Sequence, residues 1–158
     1  MADGIALIFA GQGAQDTGMG RSLYETSPAA RAVFDQAESM RPGLQALCFT
    51  GSREELTDTA NTQPCVFCAD LAAAQAAREA GLAADMTAGF SLGELAALVY
   101  AGALSFEDGF RLVCRRGEIM RDEAGAPSGM LAVLRLTAGE VEELCRRHGD
   151  VYPANYNY

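Results

Sequence analysis

Lysine is absent from the 158-residue sequence, and histidine occurs only once, as His148. The twelve side chains of the lysine and arginine class are therefore all arginines. The absence of lysine excludes Schiff-base chemistry, a phosphate-binding lysine of the Walker type and a serine–lysine catalytic pair. A single histidine restricts mechanisms that need an imidazole base almost as strongly.

Long apolar runs and a secretory leader are also missing. No stretch of apolar residues reaches the roughly 18 to 20 that a membrane-spanning helix requires. The first residues, MADG, carry none of the positive charge that begins a signal peptide. The five cysteines form an odd set scattered through apolar stretches, which is typical of reduced thiols. We expect a cytoplasmic protein with no membrane partner and no disulfide framework.

The charge balance of the chain is acidic. Its formal net charge is −9, whereas a surface that follows a phosphate backbone needs clustered cations, so no nucleic-acid partner is expected. Hydrophobic residues make up 49% of the sequence and charged residues 21%, which is the composition of a globular protein. The length is that of one ordinary domain.

The first part of the chain alternates strand and helix patterns. Residues 5–9 form a continuous apolar run, which predicts a central parallel strand buried on both faces. A polar, glycine-rich loop at 11–20 precedes a helical pattern that breaks near Pro28. A long helix is predicted to hold Pro64 in its first turn and to end at Gly81.

The next elements follow the same alternation. A second strand is predicted at 86–88, then a sharp turn at 89–93 and a helix over 94–101. Ser105 begins a capped helix that reaches about Ala124. The order of strand, turn and helix indicates an α/β fold with a parallel sheet.

A linker containing glycine and proline lies at 125–129 and predicts a boundary. It divides the chain into a large subdomain, residues 1–125, and the start of a small one, residues 126–158. The small subdomain is predicted to begin with a strand at 130–134, continue with a capped helix and resume extended structure at 151–152. This order is β-α-β.

Residues 89–93, with the sequence GFSLG, fit the pattern of a nucleophile elbow, in which small residues flank a serine in a tight turn. The predicted strand before it and helix after it suit that pattern, because Ser91 would then stand at a helix N-terminus. There the Leu92 N–H can face a developing oxyanion. The alternative is an ordinary strand-to-helix turn with a capping serine.

Residues 11–15, with the sequence GQGAQ, directly follow the first predicted strand. Glycines there would let backbone N–H groups approach a ligand closely. A dinucleotide-binding loop is one alternative, but its fingerprint needs a third glycine where this chain has Asp16. A purely structural loop is the other.

Arg116 is singled out by helical spacing. The residues three and four positions away, at 112, 113, 119 and 120, are all apolar, so the guanidinium is predicted at or near the buried face. A charge there needs an anionic partner, and guanidinium geometry suits a carboxylate. A structural salt bridge or a side chain that reaches to solvent are the alternatives. Arg115 is assigned to the solvated face.

Two further features have weaker functional interpretations. Cys65 and Cys68 could form a redox pair at a helix start, although small apolar residues on such a helix usually belong to the core. No second cysteine pair stands at zinc spacing, so no metal is expected. His148 could serve Ser91 as base in a hydrolase-like triad, but a cation in the last turn of a helix is also favoured by the helix dipole.

Together these segments resemble the malonyl-CoA:acyl carrier protein transacylase family, which also occurs as the acyltransferase domain of polyketide and fatty acid synthases. The matching segments are FAGQGAQ at 9–15, TQP at 62–64, GFSLGE at 89–94, Arg116 and Gly117 with Met120, and PANYN at 153–157. They occur in the order and at the spacing of the family. The sequence departs from the family pattern at Phe90, where a histidine is frequent, and at Ala10, where a proline is frequent.

The resemblance implies a hydrolase-like large subdomain with a parallel sheet and the first half, β-α-β, of a ferredoxin-like small one. It implies that Ser91 attacks the thioester of malonyl-CoA, releases coenzyme A, and passes the malonyl group to the phosphopantetheine thiol of acyl carrier protein. By matching position, Gln12 and Leu92 supply oxyanion N–H groups, Arg116 clamps the malonyl carboxylate and Gln63 lines the pocket. No cofactor is implied.

The resemblance also implies that the catalytic histidine of the family lies beyond residue 158. We therefore expect this chain to be an incomplete transacylase, whose other half belongs to the same protein or to a second chain. The alternatives are a non-catalytic carrier-binding fragment and a serine hydrolase that uses His148.

Overall fold

A computed structural model describes residues 4–123 and 129–156. The chain divides into two compact units, Met1–Gly125 and Ala126–Tyr158. The division falls in the predicted linker at 125–129, of which residues 125–128 lie outside the described residues. The assignment of the two units to the large and small subdomains of a transacylase stays a prediction.

The first unit alternates strands and helices, which confirms the predicted α/β class. Its elements are β1 (Ala6–Phe9), α1 (Arg21–Thr26), α2 (Pro28–Met40), α3 (Leu44–Thr50), α4 (Arg53–Thr57), α5 (Thr59–Glu79), β2 (Met86–Gly89), α6 (Leu92–Tyr100) and α7 (Phe106–Asp122). The second unit contains α8 (Ala138–His148).

The sheet of the first unit consists of β1 and β2, which pair in parallel. Phe9 lies opposite Gly89, so the two strands end side by side and the segments that follow them meet at one edge. The prediction that β1 is buried on both faces is wrong. Alternate side chains of a strand point to opposite faces: Phe9 is 4% exposed, whereas Ile8 is 73% exposed.

Helix α5 is the central element of the core. Its buried side chains pack among those of α2, α6 and α7, with Phe67 and Leu71 at its centre. The helix starts earlier than predicted, so that Pro64 lies inside it rather than in its first turn. A proline has no N–H to bond the carbonyl four residues back. In this chain that carbonyl, of Ala60, accepts a hydrogen bond from Arg41 Nη1 at 2.9 Å.

Helices α5 and α7 approach each other closely at Gly117. A Cβ atom at this position would lie 2.9 Å from the Thr59 carbonyl oxygen and 3.5 Å from Gln63 Cβ. The start of α7 agrees with its prediction, because Ser105 accepts a hydrogen bond from the Asp108 N–H.

The second unit differs from its prediction in its strands. Helix α8 begins at the predicted capping box of Thr137 and Glu140. Neither 130–134 nor 151–152 forms a strand, so the predicted β-α-β order is wrong for the part of the unit that the structure describes. A strand needs backbone partners as well as apolar side chains. Leu131 and Tyr152 remain 92% and 78% exposed.

No helix in the described ranges is both long enough and apolar enough to cross a membrane.

Candidate active site

Ser91 occupies a sharp turn between β2 and α6. Its φ is 55° and its ψ is −101°, a conformation that a residue with a side chain rarely adopts. The turn is fixed by Glu94, whose Oε1 accepts a hydrogen bond from the Ser91 N–H at 3.1 Å. Helix α6 begins at Leu92, two residues earlier than predicted, so the serine directly precedes the helix. Strained backbone of this kind is concentrated at functional sites.

The two glycines of the turn are required by close packing. A Cβ atom at Gly93 would lie 2.3 Å from the Phe9 carbonyl oxygen, and one at Gly89 would lie 2.0 Å from the carbonyl carbon of Gly93. Atoms this close clash, so no larger residue fits without displacing the backbone. This is the physical reason for the GFSLG pattern, and it agrees with the predicted elbow.

Arg116 connects Ser91 to Gln63. Its Nη2 donates to Ser91 Oγ at 2.8 Å and its Nη1 donates to Gln63 Oε1, also at 2.8 Å. Gln63 is fully buried, and its Nε2 is 3.0 Å from Met120 Sδ, which holds the amide in one orientation. Gln63 on α5, Ser91 at the start of α6 and Arg116 on α7 thus meet in one hydrogen-bonded network. All three are predicted site residues.

The environment of Arg116 differs from its prediction in two respects. The side chain is partly buried, with Val113 buried beside it, while Ile119 and Met120 are exposed. Its hydrogen-bond partners are neutral oxygens, and among the described residues it forms no ion pair. A structural salt bridge therefore does not explain this arginine in the described part of the chain.

Gln12 and Leu92 lie on the two segments that meet at the sheet edge. Leu92 is the first residue of α6, so its N–H belongs to the groups that have no partner within the helix. Gln12 Nε2 donates to Thr59 Oγ1 at 3.3 Å, which attaches the loop to the start of α5. A Cβ atom at Gly11 would lie 2.7 Å from the Phe90 carbonyl oxygen, so this loop packs directly on the elbow.

Residues 6–158 match the acyl transferase domain family. The chain belongs to this family.

Named relatives of this acyl transferase domain agree with the assignment. The malonyl CoA-acyl carrier protein transacylase of Bacillus subtilis (strain 168) is 45% identical over 142 residues, which cover 89% of this chain and 45% of the relative. The crystal structure of MCAT from Streptococcus pneumoniae matches with 41% identity and a TM-score of 0.85 over 96% of this chain and 51% of that one.

A further solved structure is described as a type II PKS acyl-carrier protein in complex with its malonyl-transacylase, PlMCAT:AntF. It matches with 34% identity and a TM-score of 0.81, over 94% of this chain and 49% of that one. The chain spans about half the length of the curated malonyl transacylases that it matches. The resemblance and the α/β class with a parallel sheet, both inferred from the sequence, are confirmed.

The cysteines of this acyl transferase domain lie mainly in its core. Cys65 and Cys68 are fully buried within α5 rather than at its start. Burial raises the pKa of the Cys68 thiol well above its ordinary value, which suppresses the reactive thiolate. A hydrogen bond with Cys65, which is the largest cause, and burial together raise the pKa of the Cys48 thiol above its ordinary value. These observations favour the core interpretation over the redox one.

His148, the alternative base, is the last residue of α8 and is exposed. It belongs to the second unit, whereas Ser91 belongs to the first. Across residues 4–123 and 129–156, no three histidine, cysteine or acidic side chains are placed to hold a metal ion.

Asp70 is a residue that the sequence interpretation missed. It lies on α5, and its Oδ2 is buried and has no hydrogen-bond partner among the described residues. Burial raises the pKa of this carboxyl to about 7. The available signal was its position, since Asp70 is the only charged residue between Cys65 and Ala77.

Proposed function

We propose that this chain carries the acyl-enzyme site of a malonyl transferase. Ser91 takes a malonyl group from malonyl-CoA and passes it to the phosphopantetheine thiol of acyl carrier protein, in fatty acid or polyketide synthesis. The observation that carries the proposal is the position of Arg116, whose two Nη groups bond Ser91 Oγ and the buried Gln63. The names of the relatives support the substrate and the acceptor.

The first half-reaction is an attack of Ser91 Oγ on the thioester carbonyl. The new bond is an ester, the carbon–sulfur bond breaks, and the serine proton leaves with the thiol of coenzyme A. The N–H groups of Leu92 and Gln12 stabilise the negative charge that develops on the carbonyl oxygen. The second half-reaction repeats these steps with the carrier thiol as nucleophile.

Arg116 gives the site its preference for a carboxylated acyl group. Once Ser91 Oγ is esterified, the carboxylate at the far end of a malonyl group lies within the reach of a guanidinium that was bonded to that oxygen. A planar guanidinium donates two parallel hydrogen bonds to a carboxylate, which a neutral acetyl group does not accept. Gln63, held by Met120, keeps the guanidinium in place.

The proposal requires no cofactor or metal, because the nucleophile and the carboxylate clamp are side chains of this chain. Its macromolecular partner is acyl carrier protein, as in the complex described for a similar structure. A cytoplasmic location is part of the proposal and is favoured by five cysteines that all remain free.

The experiment is to incubate the chain with malonyl-CoA and measure its intact mass. We expect a malonyl adduct that is mapped to Ser91 and is absent from Ser91→Ala. Ser39→Ala, which removes an exposed serine from α2, is the matched control and should keep the adduct. A folded chain without an adduct would favour a non-catalytic carrier-binding role. Release of free malonate that depends on His148 would favour the hydrolase alternative.

A further inference from the structure

Arg41 reaches from the end of α2 to the first turns of α5. Its backbone closes α2, where its N–H donates to the Ala37 carbonyl oxygen at 2.8 Å. Its half-buried side chain donates from Nη1 to the Ala60 carbonyl oxygen at 2.9 Å and from Nη2 to Asn61 Oδ1 at 2.7 Å. Both partners are neutral, and Arg41 forms no ion pair with any described residue. A half-buried charge with neutral partners is costly, so what its two hydrogen bonds hold in place needs an explanation.

The Ala60 carbonyl lacks its usual helical donor because Pro64 stands four residues later. Both residues are buried, and an unpaired carbonyl at such a place is destabilising. The Arg41 guanidinium supplies the hydrogen bond that the proline cannot, and α5 continues unbroken from Thr59 to Glu79. Gln63 directly precedes the proline, so the turn that the guanidinium completes is the one that carries Gln63.

The first turns of α5 are also where residues of the site converge. Thr59 Oγ1 accepts a hydrogen bond from Gln12 Nε2 at 3.3 Å. Gln63 Oε1 accepts one from Arg116 Nη1 at 2.8 Å. Helix α7 packs on the same backbone, because a Cβ atom at Gly117 would lie 2.9 Å from the Thr59 carbonyl oxygen. A displacement of this turn would therefore move the oxygen to which Arg116 is bonded.

We propose that Arg41 is a positioning residue for the Ser91 site. It bonds the Ala60 carbonyl and so holds the turn of α5 that carries Gln63. Gln63 in turn holds the Arg116 guanidinium beside Ser91 Oγ. This inference rests on the proposed function in taking Arg116 and Ser91 as the reacting site.

The first test follows hydrogen exchange in the whole 158-residue chain. The Gln63 side chain is fully buried, so its amide protons should exchange slowly in the wild type. In Arg41→Ala we expect this exchange to be faster by about tenfold or more, because the turn opens locally, while the Leu71 backbone amide farther along α5 keeps its rate. Equal acceleration at Gln63 and Leu71 would show that Arg41 supports only the fold, which would overturn the inference.

Arg31→Ala is the matched control. Arg31 on α2 also donates to backbone carbonyl oxygens, those of Tyr24 at 3.1 Å and Glu25 at 3.3 Å, but it does so on the exposed surface. Its removal should leave the exchange at Gln63 unchanged. The same acceleration in both variants would contradict a specific role for Arg41.

Pro64→Ala tests the bond to the Ala60 carbonyl. Alanine provides an N–H four residues after Ala60, so the helix itself can then bond this carbonyl. Introduced into Arg41→Ala, the substitution should slow the exchange at Gln63 again, and the absence of any recovery would overturn the inference. If Arg41→Ala does not fold, Arg41→Lys takes its place, because one nitrogen cannot reproduce the two bonds of a guanidinium.

Acylation of Ser91 gives a readout that a purely structural role would not move. Arg41→Ala should lower the ratio of malonyl to acetyl transfer at least about threefold, because a displaced Arg116 affects only the carboxylated acyl group. In the Arg116→Ala background the same substitution should not lower the ratio further. An unchanged ratio in Arg41→Ala, or an equal further decrease in Arg116→Ala, would contradict the positioning role.

Hydrogen exchange needs no reaction, so the two proposals fail separately. A chain in which Gln63 responds to Arg41→Ala as expected, but Ser91 takes no malonyl adduct, would contradict the proposed function and support the hold of Arg41 on this turn. A malonyl adduct on Ser91 with unchanged exchange at Gln63 would support the proposed function and overturn the positioning role.

Discussion

Arg116 is the residue whose surroundings most directly suggest selectivity. Its Nη2 lies 2.8 Å from Ser91 Oγ and its Nη1 is held by Gln63. A charge-assisted contact with a carboxylate contributes about 1.5 to 3 kcal/mol. We therefore expect Arg116→Ala to lower the ratio of malonyl to acetyl transfer at least about tenfold, measured as rates of Ser91 acylation from the two coenzyme A thioesters.

Arg115→Ala provides the control for this prediction. Arg115 is the neighbouring residue of α7, but it is exposed and forms an ion pair with Glu118 at 3.2 Å. Its removal should leave the ratio unchanged. Equal losses of malonyl and acetyl transfer in Arg116→Ala would show that the arginine supports the site without recognising the carboxylate.

At the residue scale, the sequence predicts some residues of the site and misses others. Ser91 and Arg116 could be singled out because motif spacing and helical periodicity are local properties of the chain, whereas Gln63 was assigned only through the family resemblance. Asp70 could not be found in this way, since the burial of its Oδ2 depends on how α5 packs in the folded chain. Pro64 was misplaced for a similar reason: a helix tolerates it because Arg41 bonds the carbonyl that it leaves free.

Between elements, the approach of α5 to α7 sets the site geometry. A methyl group at Gly117 would meet the Thr59 carbonyl oxygen at 2.9 Å, and a backbone atom has little freedom to move aside. We expect Gly117→Ala to destabilise the fold by about 1 to 3 kcal/mol, as overpacking does, and to slow Ser91 acylation by displacing Arg116 from Gln63. Thermal unfolding and adduct formation measure the two effects.

Gly139→Ala is the matched substitution in a helix that has room for the side chain. Nothing lies within 4 Å of a Cβ atom at Gly139 on α8. Alanine there should be neutral or stabilise the chain by up to about 1 kcal/mol, because it is the better helix former. If Gly117→Ala were as benign as this control, close packing of α5 on α7 would not be what positions Arg116.

Helices were easier to predict than strands, and the second unit shows why. The capping box of Thr137 and Glu140 lies within four residues of sequence, so the start of α8 could be read directly. The apolar run at 130–134 has the composition of a strand, but a strand also needs a neighbour to receive its hydrogen bonds. No local pattern specifies that neighbour, and this segment has no strand partner in the part of the chain that the structure describes.

For the molecule as a whole, net charge constrains how a carrier protein could dock. The chain is at −9, so attraction of an acidic carrier must come from a local group of cations. Arg111, Arg115 and Arg121 lie on α7, the helix of Arg116, and line a groove of about 560 Å³ together with Arg41. Each of the three is paired with an acidic neighbour, which lowers the net charge of the groove.

Charge reversal on this face tests docking. Replacing Arg111 and Arg115 by glutamate should slow association with acyl carrier protein and reduce its dependence on salt, as measured by stopped-flow at several ionic strengths. Reversal of Arg21 and Arg31, on α1 and α2, is the control and should have a smaller effect. An unchanged salt dependence in the first variant would move the docking surface away from α7.

Turnover by the 158-residue chain is a second property of the whole. A serine is a weak nucleophile without an adjacent base, and His148 is the only imidazole in the sequence. We expect slow acylation of Ser91 by the chain alone, and faster turnover once a polypeptide that covers the remaining length of the relatives is added. Full turnover by the chain alone, abolished in His148→Ala, would instead identify His148 as the base.

The backbone conformation at Ser91 sets the stability of the folded chain against the presence of a reactive hydroxyl. A φ of 55° is easier for glycine than for any residue with a Cβ atom, and strain of this kind costs about 1 to 3 kcal/mol. Ser91→Gly should therefore unfold at a higher temperature than Ser91→Ala, although both lack the hydroxyl. At Ser39, inside α2, the order of the two variants should be reversed. For stability alone, glycine would therefore be the better residue in this turn, and the hydroxyl that the proposed acyl transfer requires gives a reason for a serine there.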